Sequence, residues 1–348
     1  MTALQVPRRH LLAAAATIPA AGLASASKPA KYEAEIDPRQ FGARYDGRTD
    51  DTAAVQKALD ACLAQSPPCA LVLSGEARIY RSLIINRPVD RNSGRLRIVG
   101  RGGNAGFHAA LPIIMFDTTL AGPLHPTSEF ISFENLRFSA DLQSGATALS
   151  ARFLRVQITG CDFDAVRACV GQTYAQEWVL ERNIARYWRG SFLDASGAFA
   201  LRSHANKFQH GDTVFDVADE TGNFGCVGCS LDGDVMESCS GPYLRAEQTQ
   251  ALRITGLYFE GNAGAAIVVN EKFDGASVTV SGCFFMPQDQ SRDDQTLYAV
   301  RWGRTCAGIS TGNWSGGRLN FGGQNIFSQG DVALHAKCPA APASGKGR

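Results

Sequence analysis

The chain has 348 residues, 45% of them hydrophobic and 19% charged, a charged share below the usual ~25%. Lys and Arg number 34 against 33 Asp and Glu, giving a net charge of +1, so no basic excess points to nucleic acid as a partner. Gly is abundant at 36 residues, which with few charges reads as many turns between short buried strands. The six His include no pair at zinc-helix spacing. Length alone suggests two domains, but all-β folds often run this long as one.

Residues 1–26 read as an export signal. Arg8-Arg9 precede an apolar run from Leu11 to Leu23, too short for the ~20 residues of a membrane span. Ala24-Ser25-Ala26 is a small-x-small cleavage pattern. The paired Arg and the Ala-rich, weakly hydrophobic run resemble a twin-arginine signal more than a general secretory one. Either route predicts a periplasmic or secreted protein, and no later segment has the pattern of a membrane span. Residues 33–338 form the expected single domain. The tail 339–348, rich in Pro, Ala, Ser, Gly and basic residues, is expected to be disordered.

Ten Cys suit an oxidising compartment. Cys62 and Cys69 flank a Pro-rich loop and could close it, and Cys306 with Cys338 could tie down the C-terminus. Connectivity is open from sequence. Cys226 and Cys229 have the spacing of half a zinc site or a redox pair, but only Cys239 stands nearby, so they read as buried small hydrophobes.

The segment Phe41-Gly42-Ala43-Arg44-Tyr45-Asp46-Gly47 is followed by Thr49-Asp50-Asp51-Thr52. Asp and Thr there suit a helix start. Ala54, Val55, Ala58, Leu59 and Cys62 then fall on one helical face, so a short amphipathic helix near 51–62 needs an apolar partner. Asp50-Asp51 is accounted for by capping rather than by catalysis. From Phe41 to Ala58 the chain closely resembles the N-terminal motif of pectate lyase superfamily proteins, Phe-Gly-Ala-x-x-Asp-Gly-x-x-Asp-Asp-Thr-x-Ala-x-x-x-Ala. The resemblance implies a right-handed parallel β-helix whose open end this helix caps. Ala70–Leu73 and Leu96–Gly100 read as strands, and Arg101-Gly102-Gly103 as a turn rather than a phosphate loop, since no helix pattern follows.

Past residue 130 an apolar–x–apolar step recurs. Its large residue falls at Phe138, Phe163, Ala185, Phe208, Leu231, Phe259, Phe285 and Trp314. Two residues earlier stand Leu136, Cys161, Asn183, Asn206, Cys229, Leu257, Cys283 and Gly312. Stacked coils require such columns, because no coil buries its apolar face alone. Asn183 and Asn206 are expected to form an internal amide ladder. An antiparallel sandwich is disfavoured, because Asp46-Gly47, Asp232-Gly233 and Asp274-Gly275 do not recur at hairpin spacing.

The second apolar run of each coil aligns through the inward pairs Leu193/Ala195, Phe215/Val217, Leu244/Ala246, Ile267/Val269 and Val300/Trp302. The residue between each pair then points outward, giving the column Asp194, Asp216, Arg245, Val268 and Arg301. Two carboxylates one strand apart repel, which raises one pKa unless a cation compensates. Asp194 and Asp216 are thus candidate acid and base or nucleophile, at the separation of a glycosidase pair. Arg245 and Arg301 are candidate uronate ligands. The bland alternative is a solvated salt bridge. The turn Gln209-His210-Gly211-Asp212 places His210 and Asp212 at the expected rim beside Asp216. It faintly resembles the His-Gly element of polygalacturonases, whose Asn-Thr-Asp, Asp-Asp and Arg-Ile-Lys elements are missing here. Glu237 and Glu260 occupy equivalent turns, and Tyr243 is a candidate lyase acid or base. Tyr187, Trp188 and Trp302 read as core or as sugar platforms. Asp289 with Asp293-Asp294 is the densest acidic run and reads as an exposed loop rather than a calcium site. No metal or cofactor is expected, and the oligomeric state is open.

The resulting expectation is an all-β, single-stranded right-handed parallel β-helix that acts as an exported lyase or hydrolase on an acidic polysaccharide. In a lyase Arg245 would neutralise the uronate, with His210 or Tyr243 as base. In a hydrolase Asp194 and Asp216 would divide the work. The alternative is a non-catalytic glycan-binding or envelope structural protein, since fold does not fix function.

Overall fold

The computed structural model describes residues 34–65, 69–85, 96–118, 130–141, 145–149, 155–172, 175–218, 222, 225–287, 298–304, 306–322 and 325–333. Residues 1–26, read above as an export signal, residues 339–348, Cys338 and the Asp289–Asp294 run lie outside these. The chain winds through three parallel sheets, visited in the order A, B, C on each coil. Sheet A includes Arg202–His204 and Ser230–Asp232, sheet B Lys207–Gln209 and Val235–Glu237, and sheet C Thr213–Val217 and Leu244–Ala246. Each strand pairs in parallel with its counterpart about one coil away. The fold is a parallel β-solenoid, and Ala70–Leu73 and Leu96–Gly100 are strands as the sequence predicts.

One helix, α1 (Thr52–Leu63), buries Ala54, Val55, Ala58, Leu59 and Cys62, the face the periodicity picks out. It covers the first strand of sheet C, Leu83–Ile85. Gln56 accepts the Ile84 amide at 2.7 Å and donates to the Ile84 carbonyl at 2.9 Å. The unpaired groups of an edge strand are thereby satisfied, which removes a template for aggregation. The two aspartates divide their work differently from simple capping. Asp50 accepts from the Thr52 amide at 2.9 Å. Asp51 accepts instead from the amides of Arg44 and Tyr45 at 2.8 and 3.2 Å, fixing the preceding loop.

Inside, Phe107, Phe138 and Phe163 stack at centroid distances of 5.9 and 4.9 Å. The column continues through Ala185, Phe208, Met236, Phe259 and Phe285 to Ser315. Two positions of the counted repeat are therefore corrected. Leu231 belongs to sheet A, opposite Ser203 and Ile254, and Met236 takes its place. Trp314 pairs with Phe284 on the outer face, one residue out of step. The triplets Ser230-Leu231-Asp232 and Val235-Met236-Glu237 share one burial pattern, so local periodicity cannot separate them.

The amide ladder is present and longer than expected. Asn183 Oδ1 accepts the Cys161 amide at 2.9 Å, and Asn206 Oδ1 accepts the Asn183 amide at 2.8 Å. Asp234 Oδ1 then accepts the Asn206 amide at 2.7 Å. The same device recurs at Cys283, Asn313 and Asp331. These contacts satisfy corner amides that would otherwise be buried unpaired. Cys161, Cys169, Cys226, Cys229, Cys239 and Cys283 are buried as small hydrophobes. Burial pushes the Cys161 and Cys169 thiols up to about 12.

Candidate functional site

On sheet C, Asp194 stands opposite Asp216, Asp216 opposite Arg245, Arg245 opposite Val268, and Val268 opposite Arg301. Successive strands lie ~4.8 Å apart. The flanking residues, among them Leu193, Phe215, Leu244, Ile267, Val300, Ala195, Val217, Ala246, Val269 and Trp302, are buried. That burial holds the intervening side chains outward. Arg245 Nη1 donates to Asp216 Oδ2 at 2.9 Å. Arg301 is paired with Glu271, a partner that lies in a corner and escapes strand alignment. Asp194 accepts no hydrogen bond from a described side chain. Val268 is buried and leaves a neutral gap between the two arginines.

Asp216 is four-fifths covered. Burial raises its carboxyl above the usual value, Arg245 opposes the rise, and Asp194 adds to it. The arrangement is thus one carboxyl disposed to hold a proton beside a second that has no described side-chain partner, the two kinds of group that acid–base work on a glycosidic bond uses.

The other sequence candidates lie elsewhere. Asp212 precedes the Thr213–Val217 strand and Asp216 is its fourth residue, so at ~3.3 Å per residue the two are ~13 Å apart. His210 and Asp212 mark the opposite edge of sheet C rather than a rim beside Asp216. Asp212 accepts from the Gly190 amide at 2.8 Å and from the Ser240 hydroxyl, clipping three corners together. His210 stacks on Tyr187 at 5.3 Å. Gly211 lies on the indole of Trp188, where a Cβ would come 2.2 Å from Cδ2, so packing accounts for this His-Gly pair. Glu260 is on sheet B, not in a turn, and accepts from Tyr258 at 2.5 Å. Glu237 shares that sheet and accepts from Gln209 at 2.7 Å.

Tyr243 is fully buried and donates to Asp234 at 2.5 Å; no external polymer reaches it. It lies at the corner entering sheet C, where two consecutive residues, Tyr243 and Leu244, both face inward. Strict alternation therefore misplaces it. Trp188 and Trp302 are core, donating to the Thr213 carbonyl and to Asn320 at 2.9 Å. Tyr187 is exposed.

Sequence reading overlooked two features. Glu247, nearly buried, receives the amides of Glu271, Lys272 and Phe273 at 3.1–3.3 Å and shapes the corner beside Arg301. A groove of about 570 Å³ on sheet A is lined by Arg202, His204, Asp232 and Arg253 among others. Threading the coil on Leu231 instead of Met236 hides it, because the error takes Ser230 and Asp232 out of line with Arg202 and His204.

No protein-family model matches the chain, and no curated protein matches it. Solved structures do. The tailspike protein of Acinetobacter baumannii phage AM24 superposes with TM-score 0.70 at 20% identity, over 87% of this chain and 54% of that one. ORF18 of Geobacillus virus E2 gives 0.58 at 14%, over 86% and 62%. The A-module of the Azotobacter vinelandii mannuronan C-5 epimerase AlgE6 gives 0.51 at 13%, over 86% and 99%. What they share with this chain is the fold. The chain spans about half the length of the phage AM24 tailspike. Among the described residues, no helix is long and apolar enough to cross a membrane.

Proposed function

We propose that this chain is an exported protein that binds and cleaves an acidic polysaccharide on the outer face of sheet C. The observation that carries the reading is the alignment of free Asp194, protonatable Asp216 and Arg245 on three successive strands. Strand spacing of ~4.8 Å approaches the ~5–5.5 Å between carboxyls in retaining glycosidases. Asp216 then protonates the leaving oxygen and Asp194 attacks or activates water. Arg245 keeps Asp216 oriented and meets the anionic sugar. The hydrolase form is favoured over a lyase, because Tyr243 is enclosed and His210 lies across the sheet, so neither of the two candidate lyase bases stands beside Arg245. Two further observations agree. One solved structure of similar fold is named for action on mannuronan, a uronate polymer, and the Phe41–Ala58 motif resembles that of pectate lyase superfamily proteins.

The test is the mature protein on a panel of uronate and neutral polysaccharides, followed by reducing ends and by ultraviolet absorbance. Reducing ends without new absorbance, lost by about 10²-fold or more in Asp194→Asn and Asp216→Asn, support the hydrolase. New absorbance would mean elimination instead. Binding without products would make the chain a glycan-binding module.

A further inference from the structure

The groove on sheet A has its own chemistry. Its floor is the outward column Arg202, Ser230, Arg253, each opposite the next on adjacent strands. Beside it run His204, Asp232 and Thr255 in the same register. Its wall is the corner formed by Gly228, Cys229 and Ala251. At Ala200, Gly228 and Ala251 the backbone turns left-handed, with φ between 53° and 63°. This repeated kink sets the short strands Ala198–Phe199 and Cys226–Val227 apart from Arg202–His204 and Ser230–Asp232, while Gln250–Thr255 pairs with both Cys226–Val227 and Ser230–Asp232, and the hollow lies at this branch.

Several arginines on the outer faces of the sheets are matched. Arg97, Arg137, Arg155, Arg186, Arg245 and Arg301 each face a carboxylate. Among the described residues, Arg202 and Arg253 face no carboxylate; both are exposed and stand two strands apart, ~9.6 Å at the usual spacing. Between and beside them, His204 Nδ1 lies 3.3 Å from Asp232 Oδ2. That contact directs the other ring nitrogen outward, free to meet a hydroxyl.

We propose that this groove is a second recognition site, distinct from the sheet C column, for an anionic oligosaccharide bearing carboxylate or sulfate groups. Arg202 and Arg253 each take one anionic group through the guanidinium fork, and the His204–Asp232 pair takes the neutral hydroxyls between. A pyranose unit is close in length to the strand spacing, so two arginines two strands apart match charges on alternate units of an extended chain. Asp232 argues against a polyphosphate, whose unbroken negative charge would meet that carboxylate. The assignment does not depend on cleavage at sheet C.

The experiment is calorimetric titration of the full mature chain with a defined oligogalacturonate, a sulfated oligosaccharide of equal length, neutral dextran oligomers and single-stranded DNA. The wild type, the double variant Arg202→Gln/Arg253→Gln and Asp216→Asn are compared, with thermal melts confirming that each is folded. The expected result is binding of one anionic sugar, weakened by salt, reduced at least tenfold in the double variant and retained in Asp216→Asn. The carboxylate and sulfate arms identify which anion is read. Single-ended variants, Arg202→Gln or Arg253→Gln alone, should each lose part of the affinity. Equal binding by the double variant, absence of binding by both anionic sugars, or stronger binding of DNA overturns the proposal. Absence of cleavage by the wild type with groove binding intact would instead count against the sheet C reading alone.

Discussion

The Tyr243 hydroxyl donates to Asp234 Oδ2 at 2.5 Å, joining the corner before sheet C to the corner between sheets A and B within one coil. Asp234 also accepts from Ser203 and from the Asn206 amide and side chain. The amide ladder therefore ends on a carboxylate that donors surround. Replacing Tyr243 by Phe removes one of them and leaves the buried acid short of a partner. The expected cost is about 1–3 kcal/mol, read from urea unfolding. An unchanged midpoint would show the contact to be idle.

Burial raises the Asp234 carboxyl above its usual value of 3.8 despite those donors. The folded state then holds a proton that the unfolded chain has released. Stability from this group is complete below pH 3.8 and declines as pH climbs from there through the folded value. Each pH unit of that window removes about 1.4 kcal/mol. Asp234→Asn has no such proton. The difference in unfolding free energy, wild type minus variant, should fall with rising pH and then level off; a flat difference from pH 3 upward contradicts the assignment.

Asn206 makes the central rung of the ladder. It accepts from Asn183 and donates to the Leu180 carbonyl at 3.0 Å. Asn206→Ala orphans several buried groups at once and should cost about 2–4 kcal/mol. Lys207→Ala, next in sequence but on the surface, should cost under about 0.5 kcal/mol. Similar losses for both would remove the ladder's claim to stability.

On sheet C, Arg245 is the largest influence that holds the Asp216 carboxyl down against burial, ahead of the Ala218 amide. Arg245→Gln should therefore raise the Asp216 titration further, visible as an upward shift in its carboxyl carbon resonance. If the hydrolase reading holds, the alkaline limb of the activity profile should move up with it. The ion pair itself, part exposed, should contribute about 1 kcal/mol or less in a double-mutant cycle.

Cys62 and Cys69 sulfurs lie 2.9 Å apart, buried against α1. In an oxidising compartment they should be found joined in non-reduced peptide maps. Reduction should lower stability by about 2 kcal/mol for so short a loop. Full alkylation of both thiols in the native protein isolated from such a compartment would refute the link.

The sequence made much of this visible where inward residues come in pairs. Leu193/Ala195 and its equivalents bracket one outward side chain each, so the Asp194–Arg301 column is readable without structure. The Phe41–Ala58 segment and the Asn183–Asn206 rungs are equally local signals. Corners are where reading fails. The extra residues between Val217 and Cys226 shift the next coil, and Leu231 and Met236 satisfy the same apolar test. That one slip concealed Asp234 as the end of the ladder and the Arg202–Arg253 column together. Tyr243, Asp212 and Glu260 were misplaced for a related reason: where a strand begins relative to a corner depends on contacts made by other coils.

The outer columns take one side chain per coil, while the interior takes the residues on either side of it. Duplication of a single coil would therefore lengthen the charged row by one place and leave its neighbours packed as before. Exchange of one outward residue would alter one place and nothing beneath it. A surface built this way can be extended or re-lettered stepwise to follow a changing polymer, at little risk to the framework that displays it.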